Sequence, residues 1–287
     1  LHLMLLPGVL MILVFNYTTM AGLIIAFQKF IPSKGLFGDQ KWVGFDNFRY
    51  VFKLPGFSQA LKNTIVIAFW KIVLGLLVPI VFALLLNEIR GRRFKKTVQT
   101  IVYLPYFLSW VVLGGIFIDM LSPSTGIVNQ IIKAFGGKEI FFLGDNRYFK
   151  GTLIATDIWK NFGYGAIVYL AAILGIDSSL YEAAKIDGAG ELRTWATIMI
   201  PGIMPSISTI IIFDFIGNWN AFLWPIIVLQ DPEKYPLATA LQYLNGSFSY
   251  KFGYVAAGTV ISIIPVLLVF MMCQKNYIEA VSGAVKG

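Results

Sequence analysis

Long apolar stretches are the feature that most limits how this chain can fold. Residues 3–27 and 255–273 contain no charged side chain, and each is about as long as the ~20 helical residues that cross a bilayer. Such stretches form helices because lipid cannot satisfy exposed backbone polar groups. We therefore expect an all-α membrane protein with one domain over residues 1–287. Its six predicted spans are residues 3–27, 63–87, 100–121, 151–175, 201–229 and 255–273.

The composition argues against most soluble functions. Charged residues make up 13% of the 287 residues, about half the share that is usual in soluble domains. The single histidine, His2, and the single cysteine, Cys273, lie at opposite ends of the sequence, which offers neither a His/Cys metal site nor a Ser-His-Asp triad. The net charge of +8 is typical of basic loops beside membrane spans. We expect membrane lipid around the chain, no bound metal and no nucleic acid.

Basic residues beside the spans predict the orientation of the chain. The short link between the second and third spans contains Arg90, Arg92, Arg93, Lys95 and Lys96. This dense cluster predicts a cytoplasmic link, and six alternating spans then place both termini in the cytoplasm. The 28–62 link, which this orientation places outside, also contains basic residues, but they are spread thinly and mixed with Asp39 and Asp46.

Residues 177–201 predict a pair of short helices between the fourth and fifth spans. Ser179 and Glu182 have the spacing of a capping box, in which each side chain pairs with a backbone N–H at the start of a helix. Gly188 can adopt the positive φ that ends such a helix, and Gly190 keeps the turn compact. A second helix is expected from Glu191 towards the fifth span. The pair presents small side chains at its tip, on the cytoplasmic face.

The same segment resembles a known signature. Glu182-Ala183-Ala184, three residues, Gly188, nine residues, Ile198, one residue and Ile200-Pro201 are similar to the EAA motif of binding-protein-dependent ABC importer permeases, with Ile200 in place of the usual Leu. Asp187-Gly188-Ala189 resembles the form typical of carbohydrate importers. Weaker similarities lie at residues 42–48, 103–105, 219–220 and 285–287. The likeness is to the maltose-type carbohydrate-uptake group, nearest to permeases for complex oligosaccharides such as alginate fragments.

The resemblance implies a transport subunit of the bacterial inner membrane that passes a sugar into the cytoplasm by alternating access. The implied partners are a second permease, with which it forms a heterodimer, two ATPase subunits and an extracytoplasmic sugar-binding protein. The sequence contains no G-x-x-x-x-G-K-[ST] phosphate loop, so ATP and Mg²⁺ are expected on the ATPases, with no cofactor and no enzyme activity in this chain. The implied ATPase-coupling residues are Glu182, Ala183, Ala184, Asp187, Gly188, Ala189 and Gly190.

Polar residues inside two spans are candidates for a substrate path, since ionisable groups in lipid are costly and usually face a cavity or a partner. The candidates are Asp157, Lys160, Asn161 and Tyr164 on one face of the fourth span, and Asp214, Asn218, Trp219 and Asn220 on the fifth. Sugars need flat aromatic surfaces and hydrogen-bonding groups, and these residues supply both. Lys160 is also the candidate partner for a carboxylate on an acidic sugar. The alternative interpretation is an internal Asp157–Lys160 pair with polar contacts between helices.

Two other functions remain open at the level of sequence. A stand-alone secondary transporter of a small polar solute also has several spans with buried charges, but it needs an inverted repeat or an ion-coupling site, and neither is visible. A membrane enzyme needs a catalytic constellation, which here has to come from scattered carboxylates.

Overall fold

Helices dominate the chain in the computed structural model, which describes residues 2–247 and 252–285. The helices are α1 (His2–Ile12), α2 (Thr18–Met20), α3 (Asp46–Lys53), α4 (Phe57–Glu88), α5 (Arg92–Phe107), α6 (Trp110–Met120), α7 (Ile127–Ala134), α8 (Phe149–Leu174), α9 (Ser178–Ile186), α10 (Glu191–Thr194), α11 (Ile200–Gly202), α12 (Met204–Trp219), α13 (Leu223–Val228), α14 (Leu237–Ser247) and α15 (Phe252–Val285). Within the described residues, the exception to the expected all-α fold is a short antiparallel pair, β1 (Gln28–Lys29) with β2 (Lys41–Trp42).

Four helical segments in the described part of the chain are long and apolar enough to cross a membrane: Leu3–Phe27, Phe57–Glu88, Ser206–Val228 and Phe252–Met272. The first of them changes pitch, because π-helical and 3₁₀ turns join α1 and α2 into one rod. Two bent helix pairs bring the number to six if each pair counts as one span. They are α5 with α6, bent by 100°, and α8 with the start of α9, bent by 78°.

The third predicted span, residues 100–121, is not one continuous helix. The chain leaves helical geometry at Leu108 and Ser109, both of which have extended backbone angles. The Ser109 hydroxyl then accepts a hydrogen bond from the backbone N–H of Val112 at 3.2 Å and starts a new helix. This is N-capping, which a serine performs well because its oxygen satisfies a free N–H of the first turn. The break was not predicted from the sequence, because the residues around it are mostly apolar.

The fifth predicted span, residues 201–229, is also interrupted. α12 ends at Trp219, and α13 begins only at Leu223. Asn220 occupies the end of α12, where its side-chain amide donates to the Ile216 carbonyl at 3.0 Å. The backbone N–H of Asn220 donates to the same carbonyl at 3.2 Å, so both donors of Asn220 close the last turn of α12. The fourth prediction, residues 151–175, agrees with α8 to within two residues at either end.

The helices α4 and α8 run side by side in the same direction and form the centre of the fold. Lys71 pairs with Asp157 near one end of the contact, and Phe82 packs edge-on against Phe162 further along. Small residues allow α8 to approach its neighbours closely, as is common between membrane helices. Gly163 lies directly against the Val102 carbonyl of α5, where a Cβ would clash with the backbone.

Two apolar clusters mark opposite ends of the α4–α8 pair. At one end Leu86, Ile173 and Ile203 are buried, and residues of the 177–201 segment and the chain next to the basic cluster pack on them. At the other end, Ile67 and Leu153 are buried with residues of α13. The basic cluster of residues 90–96 and the 177–201 segment therefore lie at the same end of the molecule.

The close contact at Gly163 gives a stability prediction. We expect Gly163→Leu to lower the free energy of unfolding by about 1–3 kcal/mol, because the added side chain overpacks the α5–α8 contact. Gly151→Leu is the matched control, since Gly151 lies in the same helix and faces open space. Thermal unfolding of the purified variants measures both. Equal changes in melting temperature for the two variants would show that the α5–α8 approach is not tight.

Candidate functional site

A cavity of about 460 Å³ lies between α4, α8 and α12, with residues from the α5–α6 break and α13 in its wall. Its volume is within the range of small-molecule sites in proteins, ~300–1,000 Å³. Five of the residues predicted from the sequence line this cavity: Asp157, Asn161, Tyr164, Asp214 and Asn218. The structure thus brings candidates from the fourth and fifth spans to one place.

An ion pair between α4 and α8 forms part of the wall. The Lys71 Nζ lies 2.9 Å from Oδ1 of Asp157, and the two side chains are only 1% and 15% exposed. A lone charge at this depth is costly, so each group depends on the other. The sequence interpretation did not include Lys71 among the site residues. The available signal was a lysine in the middle of an apolar span.

Lys160 does not pair with Asp157, so the alternative of an internal Asp157–Lys160 ion pair is wrong. Its Nζ donates to the Tyr106 carbonyl at 2.7 Å and lies 5.1 Å and 5.3 Å from the ring centroids of Tyr106 and Trp110. Tyr106 is in the last turn of α5, where carbonyls lack intrahelical partners. The break after α5 therefore provides the acceptor that holds Lys160, which is buried.

Aromatic side chains supply flat surfaces around the cavity. Tyr106 and Tyr164 stack with ring centroids 4.0 Å apart and an angle of 5° between their planes. Trp110 stacks on Trp224 at 4.6 Å, and the Trp224 indole N–H donates to the Thr156 hydroxyl at 3.1 Å. Tyr106 and Trp110 were missed by the sequence interpretation, because they come from a third span whose break brings them to the wall.

Two amide side chains and one carboxylate at the cavity have no hydrogen-bond or ion-pair partner among the described residues. Asn161 and Asn218 make no side-chain hydrogen bond there, and Asp214 makes neither a hydrogen bond nor an ion pair. Asp214 faces α4 at Gly75, where a Cβ would lie 3.6 Å from its Oδ2 atom. These groups are therefore available to a ligand.

Besides Lys160, the predicted path residues Trp219 and Asn220 are absent from the lining of this cavity. Trp219 is buried against α15, where its indole N–H donates to the Ser262 carbonyl at 2.9 Å, and its ring stacks on Phe215. Asn220 ends α12 and is exposed. Since residues 219 and 220 follow Asn218 at 100° steps around the helix axis, their side chains point away from the face that Asn218 shares with Asp214.

The 177–201 segment forms the expected helix–turn–helix but begins differently. The predicted Ser179–Glu182 capping box is wrong, because α9 starts at Ser178 and Asp177 is its cap. The Asp177 carboxylate accepts a hydrogen bond from the backbone N–H of Ser179 at 2.9 Å. This bond, together with a hydrogen bond to the Ser179 side chain, holds the pKa of Asp177 below its usual value.

The end of α9 is a Schellman turn. The Ala189 N–H donates to the Ala184 carbonyl at 2.9 Å, and Gly188 has φ +68°, a value that glycine adopts without strain. The Tyr181 hydroxyl anchors the helix to the Ile173 carbonyl at 3.4 Å. Ala184 is buried on the side of α9 that Tyr181 anchors. Glu182, Ala183, Asp187, Gly188 and Gly190 are exposed, and Ala189 is half-buried.

The Lys71–Asp157 pair gives a second stability prediction. We expect Lys71→Met to reduce the free energy of unfolding by about 3–5 kcal/mol, because it leaves Asp157 buried without a partner. The double variant Lys71→Met/Asp157→Leu should regain most of this loss. The exposed pair Lys133–Glu139, at 2.7 Å, is the control, and Lys133→Met should cost less than ~1 kcal/mol. Thermal unfolding tests the set, and a double variant no more stable than the single one would contradict it.

Comparison with known proteins places this geometry in a family. Residues 75–277 match the model of the binding-protein-dependent transport system inner membrane component. The polygalacturonan/rhamnogalacturonan transport system permease protein YteP of Bacillus subtilis (strain 168) is 43% identical over 74% of this chain and 66% of its own length. Protein LplB of the same organism is 33% identical over 97% of this chain and 87% of its own length.

A solved structure agrees over nearly the whole chain. It is the crystal structure of a bacterial ABC transporter involved in the import of the acidic polysaccharide alginate, with a TM-score of 0.82 and 33% identity over 96% of this chain and 94% of that one. Membership of the family makes this chain a transport subunit rather than an enzyme. The chain belongs to the inner membrane components of binding-protein-dependent ABC transport systems.

Proposed function

We propose that this chain is one of two permease subunits of an ATP-driven importer and passes a sugar or oligosaccharide through the cavity between α4, α8 and α12. The observation that carries the proposal is the pairing of stacked aromatic rings with unpartnered amide and carboxyl groups in that cavity. Aromatic faces suit the apolar faces of a sugar ring, and the free polar groups suit its hydroxyls. The relatives named for polygalacturonan and alginate transport support a carbohydrate as the cargo.

The proposed topology has six spans, with each bent helix pair counted as one. The parallel course of α4 and α8 supports it, because the second and fourth of six alternating spans run in the same direction. The basic cluster of residues 90–96 lies at the same end as the 177–201 segment. Basic links favour the cytoplasm, so this end, and with it both termini, is proposed to be cytoplasmic.

The exposed tip of the 177–201 segment is proposed to contact an ATPase subunit, which holds the ATP and Mg²⁺. Its turn is slim because Ala183, Gly188 and Gly190 have small side chains or none, and the exposed apolar side chains of Ile186 and Leu192 beside it can pack in a groove. Glu182, Ala183, Asp187, Gly188 and Gly190 form the exposed part, while Ala184 and Ala189 take part in the Schellman turn. Because Tyr181 anchors α9 to α8, movement of the tip is transmitted to a cavity-lining helix.

An importer reconstituted with its second permease, ATPases and binding protein tests this function. We expect ATP-dependent accumulation of a labelled oligosaccharide and ATP hydrolysis stimulated by loaded binding protein. Gly188→Trp should abolish the stimulation or detach the ATPase, because it strains a positive-φ turn and blocks the tip. Glu182→Lys should act similarly by reversing the charge at the contact.

The matched control is Gly136→Trp. Gly136 also has a positive φ, of 80°, and faces open space, but it lies in the link after α7, far along the chain from the coupling segment. This control should retain stimulated hydrolysis. Full stimulation in both coupling variants would contradict the coupling role, and failure of the wild-type importer to accumulate any sugar would contradict the proposed function.

A further inference from the structure

Four charged side chains at or beneath the cavity wall differ in how far a ligand can reach them. Lys71 and Lys160 are buried, with the Lys71 side chain 1% exposed. Asp157 is 15% exposed at its side chain, and Asp214 is half-buried and faces the cavity. The formal charges of the two lysines and the two aspartates sum to zero. The more accessible groups are the two aspartates, so a ligand in the cavity is exposed to negative charge.

Both cations already have partners in the protein. Lys71 pairs with Asp157, and Lys160 donates to the Tyr106 carbonyl beneath two aromatic rings. A carboxylate on a sugar would have to displace one of these interactions and leave a buried protein group without a partner, which is costly. Neither lysine is therefore available to an acidic sugar, including Lys160, which the sequence suggested for that role.

The accessible polar groups suit hydroxyls instead. Asp214 has no partner in the described chain, and the amides of Asn161 and Asn218 are also unpaired. Carboxylates accept hydrogen bonds from hydroxyls strongly, whereas they repel another carboxylate, the more so away from bulk water. A single residue can thus attract one class of sugar and reject another.

We propose that Asp214 is a specificity-determining residue that makes this subunit accept uncharged, hydroxyl-bearing sugar units and reject uronic acid units. The inference rests on the proposed sugar-import function and goes beyond it by assigning the substrate class. It also sets this chain apart from the alginate importer, which is described as importing an acidic polysaccharide, and from YteP, whose name includes polygalacturonan, a polymer of galacturonic acid.

Direct binding to the purified importer without its binding protein tests the inference, so that the selectivity of the binding protein does not enter. The probes are trisaccharides of galactose and of mannose, each compared with its uronic counterpart, which replaces a hydroxymethyl group by a carboxylate. Tryptophan fluorescence reports binding, since Trp110 and Trp224 lie in the cavity wall. A Trp110→Phe variant identifies the signal from this site.

The wild-type importer should bind at least one neutral trisaccharide on the order of tenfold more tightly than its uronic counterpart. Asp214→Asn, which keeps the shape of the side chain, should remove most of that preference, and Asp214→Glu should retain it. Asp119→Asn is the control, since Asp119 is an exposed carboxylate outside the cavity, and it should change nothing.

Equal or tighter binding of the uronic sugars by the wild type, or an unchanged preference in Asp214→Asn, would overturn the inference. Absence of a fluorescence response from Trp110 with every probe would also overturn it, because sugars would not then reach this wall. The uptake assay decides the sugar-import function separately, so the two failures are distinguishable.

Discussion

The Lys71–Asp157 ion pair is the interaction on which the rest of the site depends. It joins the two central helices at 2.9 Å and sets their register, so that α4 and α8 present their polar groups at one level. Because neither charge is tolerable alone at this depth, the pair favours one alignment of the helices. The stacked aromatic rings and the free amides lie on that framework.

The break between α5 and α6 completes the cavity. An uninterrupted third helix would pair the Tyr106 carbonyl with the backbone N–H four residues further on. The Ser109 cap starts a second helix at an angle of 100°, and the end of α5 offers the Tyr106 carbonyl to Lys160. Local backbone geometry therefore determines which cation is bound beneath the wall and which aromatic rings surround the cavity.

Much of the architecture is predictable from the sequence because its signals are local. Apolar runs identify the helices, and the spacing from Glu182 to Gly188 identifies a turn whose glycine has positive φ. The errors concern partners and boundaries. Asp177 rather than Ser179 caps α9, since both residue types are good caps and only the start of the helix distinguishes them.

Contacts between helices could not be predicted from the periodicity of the sequence. Helical spacing placed Asp157 and Lys160 on one face of α8. The Asp157 carboxylate nevertheless pairs with Lys71, which lies 86 residues earlier in the sequence. Trp219 follows Asn218 in the sequence, yet it packs on α15 through Ser262. Both outcomes depend on which helix lies opposite, and this is fixed by tertiary packing rather than by any local pattern.

The central claim is that sugar passes through the cavity between α4, α8 and α12. Its most direct test is the rate at which a thiol reagent modifies Asn218→Cys, in a Cys273→Ser background, in the complete importer with binding protein and ATP. Transported sugar should slow the modification severalfold, while Ser124→Cys, at an exposed position outside the cavity, should react at an unchanged rate. An equal rate at position 218 with and without sugar would contradict the account.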